Sequence, residues 1–187
     1  MDKVKFVGLT FLYQEHILLV KEPDGFGKTT NLTMKWGIPG GGPMTAMNIM
    51  NSTFLGGDQH WIDQQLIQEA SREFFEETMG IFGSQNQIVD ILYNAIQKSK
   101  VLAIGIPPNY FAFYVWLDEL PFKMDDYSII FQNCRHFITE CGTVRPECLE
   151  ISEVKFVPLD KVKELNLRRS INAQILEQII SWIQKKK

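Results

Sequence analysis

The segment His60 to Met79 constrains this chain most. Leu66, Ile67, Ala70 and Phe74 recur there at helical spacing, and Gly80 follows where a helix commonly stops. A helix with one apolar stripe must bury it, so the rest of the chain has to supply a matching surface. Turning about 100° per residue, the same helix gathers Glu69, Glu73, Glu76 and Glu77 into an arc of roughly 100° beside the stripe.

That acidic edge is costly by itself. Like charges at i, i+3 and i, i+4 destabilise a helix by about 0.2 to 0.5 kcal/mol per pair. Glu76 and Glu77 also lie in the last turn, where the helix dipole disfavours negative charge by a further ~0.3 to 1 kcal/mol. Two readings are open: a solvated acidic face, or carboxylates gathered around a divalent cation. Mg²⁺ and Mn²⁺ prefer hard oxygen ligands and commonly join one or two carboxylates to substrate phosphates. Arg72, with its fixed fork of donors, either pairs with a neighbouring carboxylate or orients one that binds metal.

The remaining segments read as mixed strands and helices, an α/β chain of a size suited to one domain: 187 residues, 45% of them apolar. Lys3 to Tyr13 and His16 to Lys21 predict a β-hairpin around Gln14 and Glu15. Pro23 to Asn31 is turn-rich and leads to Trp36, Gly37, Ile38 and Pro39, then the pliant run Gly40, Gly41 and Gly42. The stretch 43–58 has almost no charge and no period, which reads as an inserted loop or lid. Ile88 to Ile96 and Tyr110 to Leu117 read as strands joined by a loop from Lys98 to Asn109, with a further short strand from Val154 to Val157. Asp160 is placed to cap a short helix through Leu165, and Ser170 to Gln184 reads as an amphipathic helix. Pro121 to Glu147 is too irregular to assign.

The formal charge of −3 directs the chain to neither nucleic acid nor an anionic membrane. The apolar stretch from Phe6 to Val20 is broken by Gly8, Gln14, Glu15 and His16, too short and polar for a membrane span or signal peptide. Cys134, Cys141 and Cys148 lack CxxC spacing, so reduced thiols and a cytoplasmic location are the expectation. With His136 they make Cys-x-His-x4-Cys-x6-Cys, which matches no usual zinc site. Trp36, Phe26, Tyr110 and Phe113 are candidates for stacking on a base, although aromatics in strands more often fill cores. His16 and His60 stand alone, and the tail Lys185 to Lys187 reads as a solvated helix end.

Arg72-Glu73-Phe74-Phe75-Glu76-Glu77-Thr78-Met79-Gly80-Ile81 resembles the core of the Nudix box, G-x5-E-x7-R-E-U-x-E-E-x-G-U, where U is a bulky aliphatic residue. His16 to Lys21, Trp36 to Gly41 and Glu150 to Asp160 also resemble Nudix landmarks, in the family's order. Two departures stand out. Gln64 and Asp58 occupy the places of the first Glu and Gly, with Gly56 and Gly57 one and two positions early, and an insertion explains this most simply. Met79 adds a residue before Gly80, so a longer or bulged helix exit is expected.

The resemblance implies a single Nudix-like α/β/α sandwich with a mixed sheet. It also implies hydrolysis of a phosphoanhydride bond in a nucleoside diphosphate derivative, with Mg²⁺ or Mn²⁺ as cofactor. By the same resemblance Glu76 and Glu77 are metal ligands, Glu73 is a further ligand or the general base, and Arg72 orients them. Gly40 and Gly41 are candidates to bring backbone amides to phosphate. The base comes alternatively from Glu140, Glu147, Glu150 or Glu153. The expected partner is a small nucleotide-type substrate, with no membrane. Capped RNA stays open as a substrate, as does a catalytically weak nucleotide-binding module, and family members are often dimers.

Overall fold

The computed structural model describes residues 4–23, 34–42, 64–106, 110–142, 150–168 and 170–186. The predicted insertion at 43–58, Phe26, His60, Glu147 and Cys148 lie outside them. Seven strands form one mixed sheet: β1 (Phe6–Tyr13), β2 (His16–Pro23), β3 (Met34–Gly37), β4 (Gly40–Gly41), β5 (Val101–Ile106), β6 (Tyr110–Leu117) and β7 (Glu153–Pro158). Its main path runs β3-β2-β1-β6-β5, with β4 added to β1 and β7 to β2. Four α-helices accompany it: α1 (Gln64–Glu77), α2 (Gln85–Gln97), α3 (Met124–Cys141) and α4 (Ala173–Gln184). Among the described residues no helix is long and apolar enough to cross a membrane.

The hairpin β1–β2 forms as the two apolar runs around Gln14 and Glu15 predict, turning through Gln14 at a φ of +53°. Its strands pair only near the turn, Leu12 with Ile17 and Tyr13 with His16, and then part. The gap is filled by Trp36 to Gly41. β3 pairs with β2 up to Gly37, and β4 then pairs Gly40 and Gly41 with Gly8 and Val7 of β1. Pro39 in between accepts a hydrogen bond from Leu9 N at 3.1 Å. The glycine run is thereby held inside the sheet.

Strand periodicity separates two cores, because successive side chains point to opposite faces. On β6, Phe111, Phe113 and Val115 join α1, α2 and Phe131 of α3, while Ala112 and Tyr114 join α4 on the other face. On β2, Leu18 and Val20 face the first group and Ile17 and Leu19 the second. α1 delivers the predicted stripe of Leu66, Ile67, Ala70 and Phe74, all buried, with the Phe74 ring 4.6 Å from that of Phe11.

Three expectations are corrected. Ile88 to Ile96 is helical: Ile88, Val89, Leu92 and Ala95 bury one face of α2, and Ser84 and Gln87 close a capping box at its start. The strand belongs to Val101–Ile106, inside the expected loop, where β5 pairs antiparallel with β6. Only a 3₁₀ turn, Val162–Glu164, follows β7, and its N-cap is Lys161, without a side-chain cap. The unassigned stretch 121–147 holds α3, and Asn172 caps α4 by accepting from Ile175 N at 3.0 Å.

Candidate functional site

The buried stripe fixes α1 about its own axis, which turns the carboxylate edge toward β4. Gly40 N donates to Glu77 Oε2 at 2.9 Å. Gly41 lies against the neighbouring acid: a Cβ placed there would come within 2.5 Å of Glu73 Oε2. A side chain at position 41 would have to displace the Glu73 carboxylate. Gly40 is likewise enclosed, since a Cβ would meet Val7 O at 2.5 Å and the Phe6 ring at 2.7 Å. Residues far apart in sequence, Gly40 and Gly41 on one side and Glu73 and Glu77 on the other, thus form one small site.

Arg72 joins the acids along the helix. Its Nε and Nη2 donate to Glu69 Oε2 at 3.1 and 3.0 Å, its Nη1 to Glu76 Oε2 at 2.6 Å, and its Nη2 also to Glu73 Oε1. One guanidinium thereby offsets the repulsion among three carboxylates. Burial disfavours its charge, and the acids around it outweigh that, so the Arg72 pKa is raised. At Glu73 burial dominates in the other direction, pushing the carboxyl above its usual range despite Arg72.

Glu77 is the most perturbed. Arg72 does not reach it, and loss of water around its carboxyl raises its pKa well above the ordinary value. The Gly40 N–H opposes the shift, while Glu73, Glu150 and Glu76 add to it. A bound proton or a cation relieves such a group. Among the described residues, Glu150 is the one of the later candidate bases whose charge bears on Glu77. Glu153 instead pairs with Lys21 and Lys155, each at 3.6 Å, and Glu140 with His136 at 3.4 Å on exposed α3.

The donor set consists of carboxylate oxygens with a backbone amide, which suits Mg²⁺ or Mn²⁺ better than a soft metal. Among the described residues no three His, Cys, Asp or Glu side chains form a ready cation cage, and three of the carboxylates are turned to Arg72. The donor chemistry fits, and cation binding would have to draw acids away from the guanidinium.

The other sequence candidates stand apart. Phe113 is 2% and Trp36 5% exposed, the latter beneath Lys155 Nζ at 4.1 Å from the ring centre. Tyr110 donates to Ser170 O at 2.6 Å and stacks on Phe6 with ring centres 5.0 Å apart. Cys134 and Cys141 are free thiols on α3. Sequence reading missed the pairing of buried Glu22 with Arg168, which ties the segment before α4 to β2. No local pattern marks either residue.

The exit of α1 corrects one more expectation. Met79 N donates to Glu76 O at 3.2 Å and Gly80 N to Phe75 O at 2.9 Å, the two bonds of a Schellman cap. Met79 holds the left-handed position, at a φ of +53°. No bulge separates Glu77 from the cap. No family model matches the chain, and no curated protein matches it.

Proposed function

We propose that this chain is a Nudix-type pyrophosphohydrolase, cleaving a phosphoanhydride bond in a nucleoside diphosphate derivative with Mg²⁺ or Mn²⁺ as cofactor. One observation carries the reading: the turn resembling the family's Pro-Gly-Gly landmark lies against the helix resembling its box, with Gly40 donating to Glu77 and Gly41 packed against the Glu73 carboxylate. Two sequence landmarks from distant parts of the chain meet at one point, which a solvated acidic face does not require. The mixed sheet with helices on both faces supports the same reading.

In this reading Glu73, Glu76 and Glu77 hold the cation. A cation held there would supply charge to offset the phosphate oxygens and to acidify water beside it. Arg72 keeps Glu69, Glu73 and Glu76 in a common orientation. Gly41 lets β4 approach the Glu73 carboxylate, and the Gly40 N–H is turned to Glu77, fixing one of its oxygens instead of facing a phosphate. Glu73 or Glu150 takes the proton from the attacking water, both standing within the same charged cluster around Glu77.

A hydrolysis screen over NADH, ADP-ribose, dinucleoside polyphosphates, nucleoside triphosphates and capped RNA, with Mg²⁺ and with Mn²⁺, tests the proposal. At least one should be cleaved, and Glu76→Gln or Glu77→Gln should lower turnover by about 100-fold or more while far-UV dichroism is unchanged. Turnover unaffected in both variants overturns the assignment. Thermal stabilisation by a nucleotide with Mg²⁺, but no phosphate release anywhere in the panel, supports a binding module instead.

A further inference from the structure

Arg72 holds its three acids in different ways. Its Nε and Nη2 both donate to one oxygen, Glu69 Oε2, so Glu69 sits on the side edge of the guanidinium. Glu76 takes Nη1, and Glu73 shares Nη2. Glu69 stands at i, i+3 ahead of the arginine, in the body of α1, where acid before base is the favoured order and the dipole of either helix end is weak. Glu77, the acid bonded to Gly40, lies about 12 Å further along the helix axis. Glu69 is thus at the far end of the acidic edge from β4, and it is committed to the guanidinium.

We propose that Glu69 is a positioning residue, the resident counter-ion of Arg72, which keeps the guanidinium in place when Glu73 and Glu76 turn from it to a cation. The inference rests on the reading of this edge as a cation site. Glu73 gives Oε1 to Arg72 and holds Oε2 against Gly41, and Glu76 gives Oε2 to Arg72 at 2.6 Å. Those oxygens cannot serve a guanidinium and a cation at once. The Arg72 side chain is only 17% exposed, and a charge so far removed from water is costly without a partner.

Charge balance sets the role. With Glu69 ionised, Arg72 keeps one ion pair after the other two acids leave, and the exchange strands no cation in the protein. With Glu69 neutral, Glu73 and Glu76 carry the compensation that these pairs give Arg72, and drawing them away leaves the guanidinium without it. Glu69 therefore governs cation affinity through Arg72 and not by touching the ion. A ligand, or a negative charge acting at a distance, would favour the cation whether Arg72 were present or not, and the two cases separate in a double-mutant cycle.

Mn²⁺ binding at neutral pH, read from the electron spin resonance of the free ion, tests this in four chains: unaltered, Glu69→Gln, Arg72→Ala and the double variant. Far-UV dichroism checks the fold of each. The unaltered chain should bind Mn²⁺, and Glu69→Gln, which keeps the shape of the side chain, should raise the Kd by about tenfold. In the Arg72→Ala background the same exchange should change it by less than about twofold. An equal loss in both backgrounds makes Glu69 a ligand or a distant charge and overturns the proposal, and so does no loss in either; the cation site itself survives both results. An unaltered chain that does not bind Mn²⁺ overturns the cation site and the proposal together.

Discussion

Gly40 N and Glu77 Oε2, 2.9 Å apart, join a strand paired to β1 to the last turn of α1. Their bond is the main contact opposing the desolvation of the Glu77 carboxyl, and it does not overcome it. The folded chain consequently holds a proton at Glu77 more tightly than the unfolded chain, whose carboxyl titrates near 4.5. Stability contributed this way is complete below about pH 4.5 and is lost as pH rises through the higher folded value. Without divalent cation, Glu77→Gln should therefore raise Tm at neutral pH and leave it unchanged near pH 4. The amide oxygen still accepts from Gly40. Calorimetry across that pH range checks the crossing, and a lower Tm at pH 7 would contradict it.

Gly41→Ala should separate the site from the fold. A Cβ at position 41 falls 2.5 Å from Glu73 Oε2, whereas at Gly42 the nearest atom is Lys5 O at 3.8 Å. Glu73 ends a flexible side chain and can swing away, so the expected change in Tm is under about 2 °C. The displaced carboxylate should lower kcat/KM for the cleaved substrate by about 10- to 100-fold. Gly42→Ala serves as the control and should match the unaltered protein in both measurements.

The acidic edge of α1 was legible in the sequence because a 14-residue helix with a clean apolar stripe fixes which side faces inward. The hairpin and β6 were legible for the same reason, strong local pattern. α2 was misread because Ile88, Val89, Ile91 and Ile96 are β-prone, although their spacing is helical and the Ser84–Gln87 box was present in the sequence. α3 escaped assignment because it buries only Tyr127 and Phe131 and exposes Ile129 and Phe137, which blurs its period. Glu150 could not be ranked among its neighbours, since proximity to Glu77 is made by packing between remote segments.

Arg72→Ala should expose the repulsion that the guanidinium offsets. Glu69, Glu73 and Glu76 each lose an ion pair, and the like-charge pairs on the helix cost about 0.2 to 0.5 kcal/mol apiece. In EDTA at neutral pH the expected loss is about 1 to 2 kcal/mol, fading below about pH 4 as the carboxylates protonate. Acids freed from the guanidinium are also freed for metal. Mn²⁺ should accordingly raise Tm more in Arg72→Ala than in the unaltered chain, even though turnover falls. An equal or smaller Mn²⁺ shift would show that Arg72 and the cation do not share these ligands.

The helix exit gives a prediction that turns on conformation rather than charge. Met79 and Gly80 both have left-handed backbone, at φ of +53° and +68°. At Gly80 a Cβ would also lie 2.8 Å from the Phe75 ring, so Gly80→Ala combines the left-handed penalty of about 1 to 2 kcal/mol with a steric one. The expected loss is about 2 kcal/mol or more, with reduced turnover because Glu76 and Glu77 belong to the turn being displaced. Met79→Gly removes the strain at the cap but also the packing of a side chain that covers the apolar cluster around α1. Those effects oppose, and the net change should stay within about 1 kcal/mol of the unaltered protein. Thermal denaturation of the two variants side by side checks the pair. Equal destabilisation would mean that the cap does not discriminate between its two residues, and that the ring of Phe75 moves aside freely.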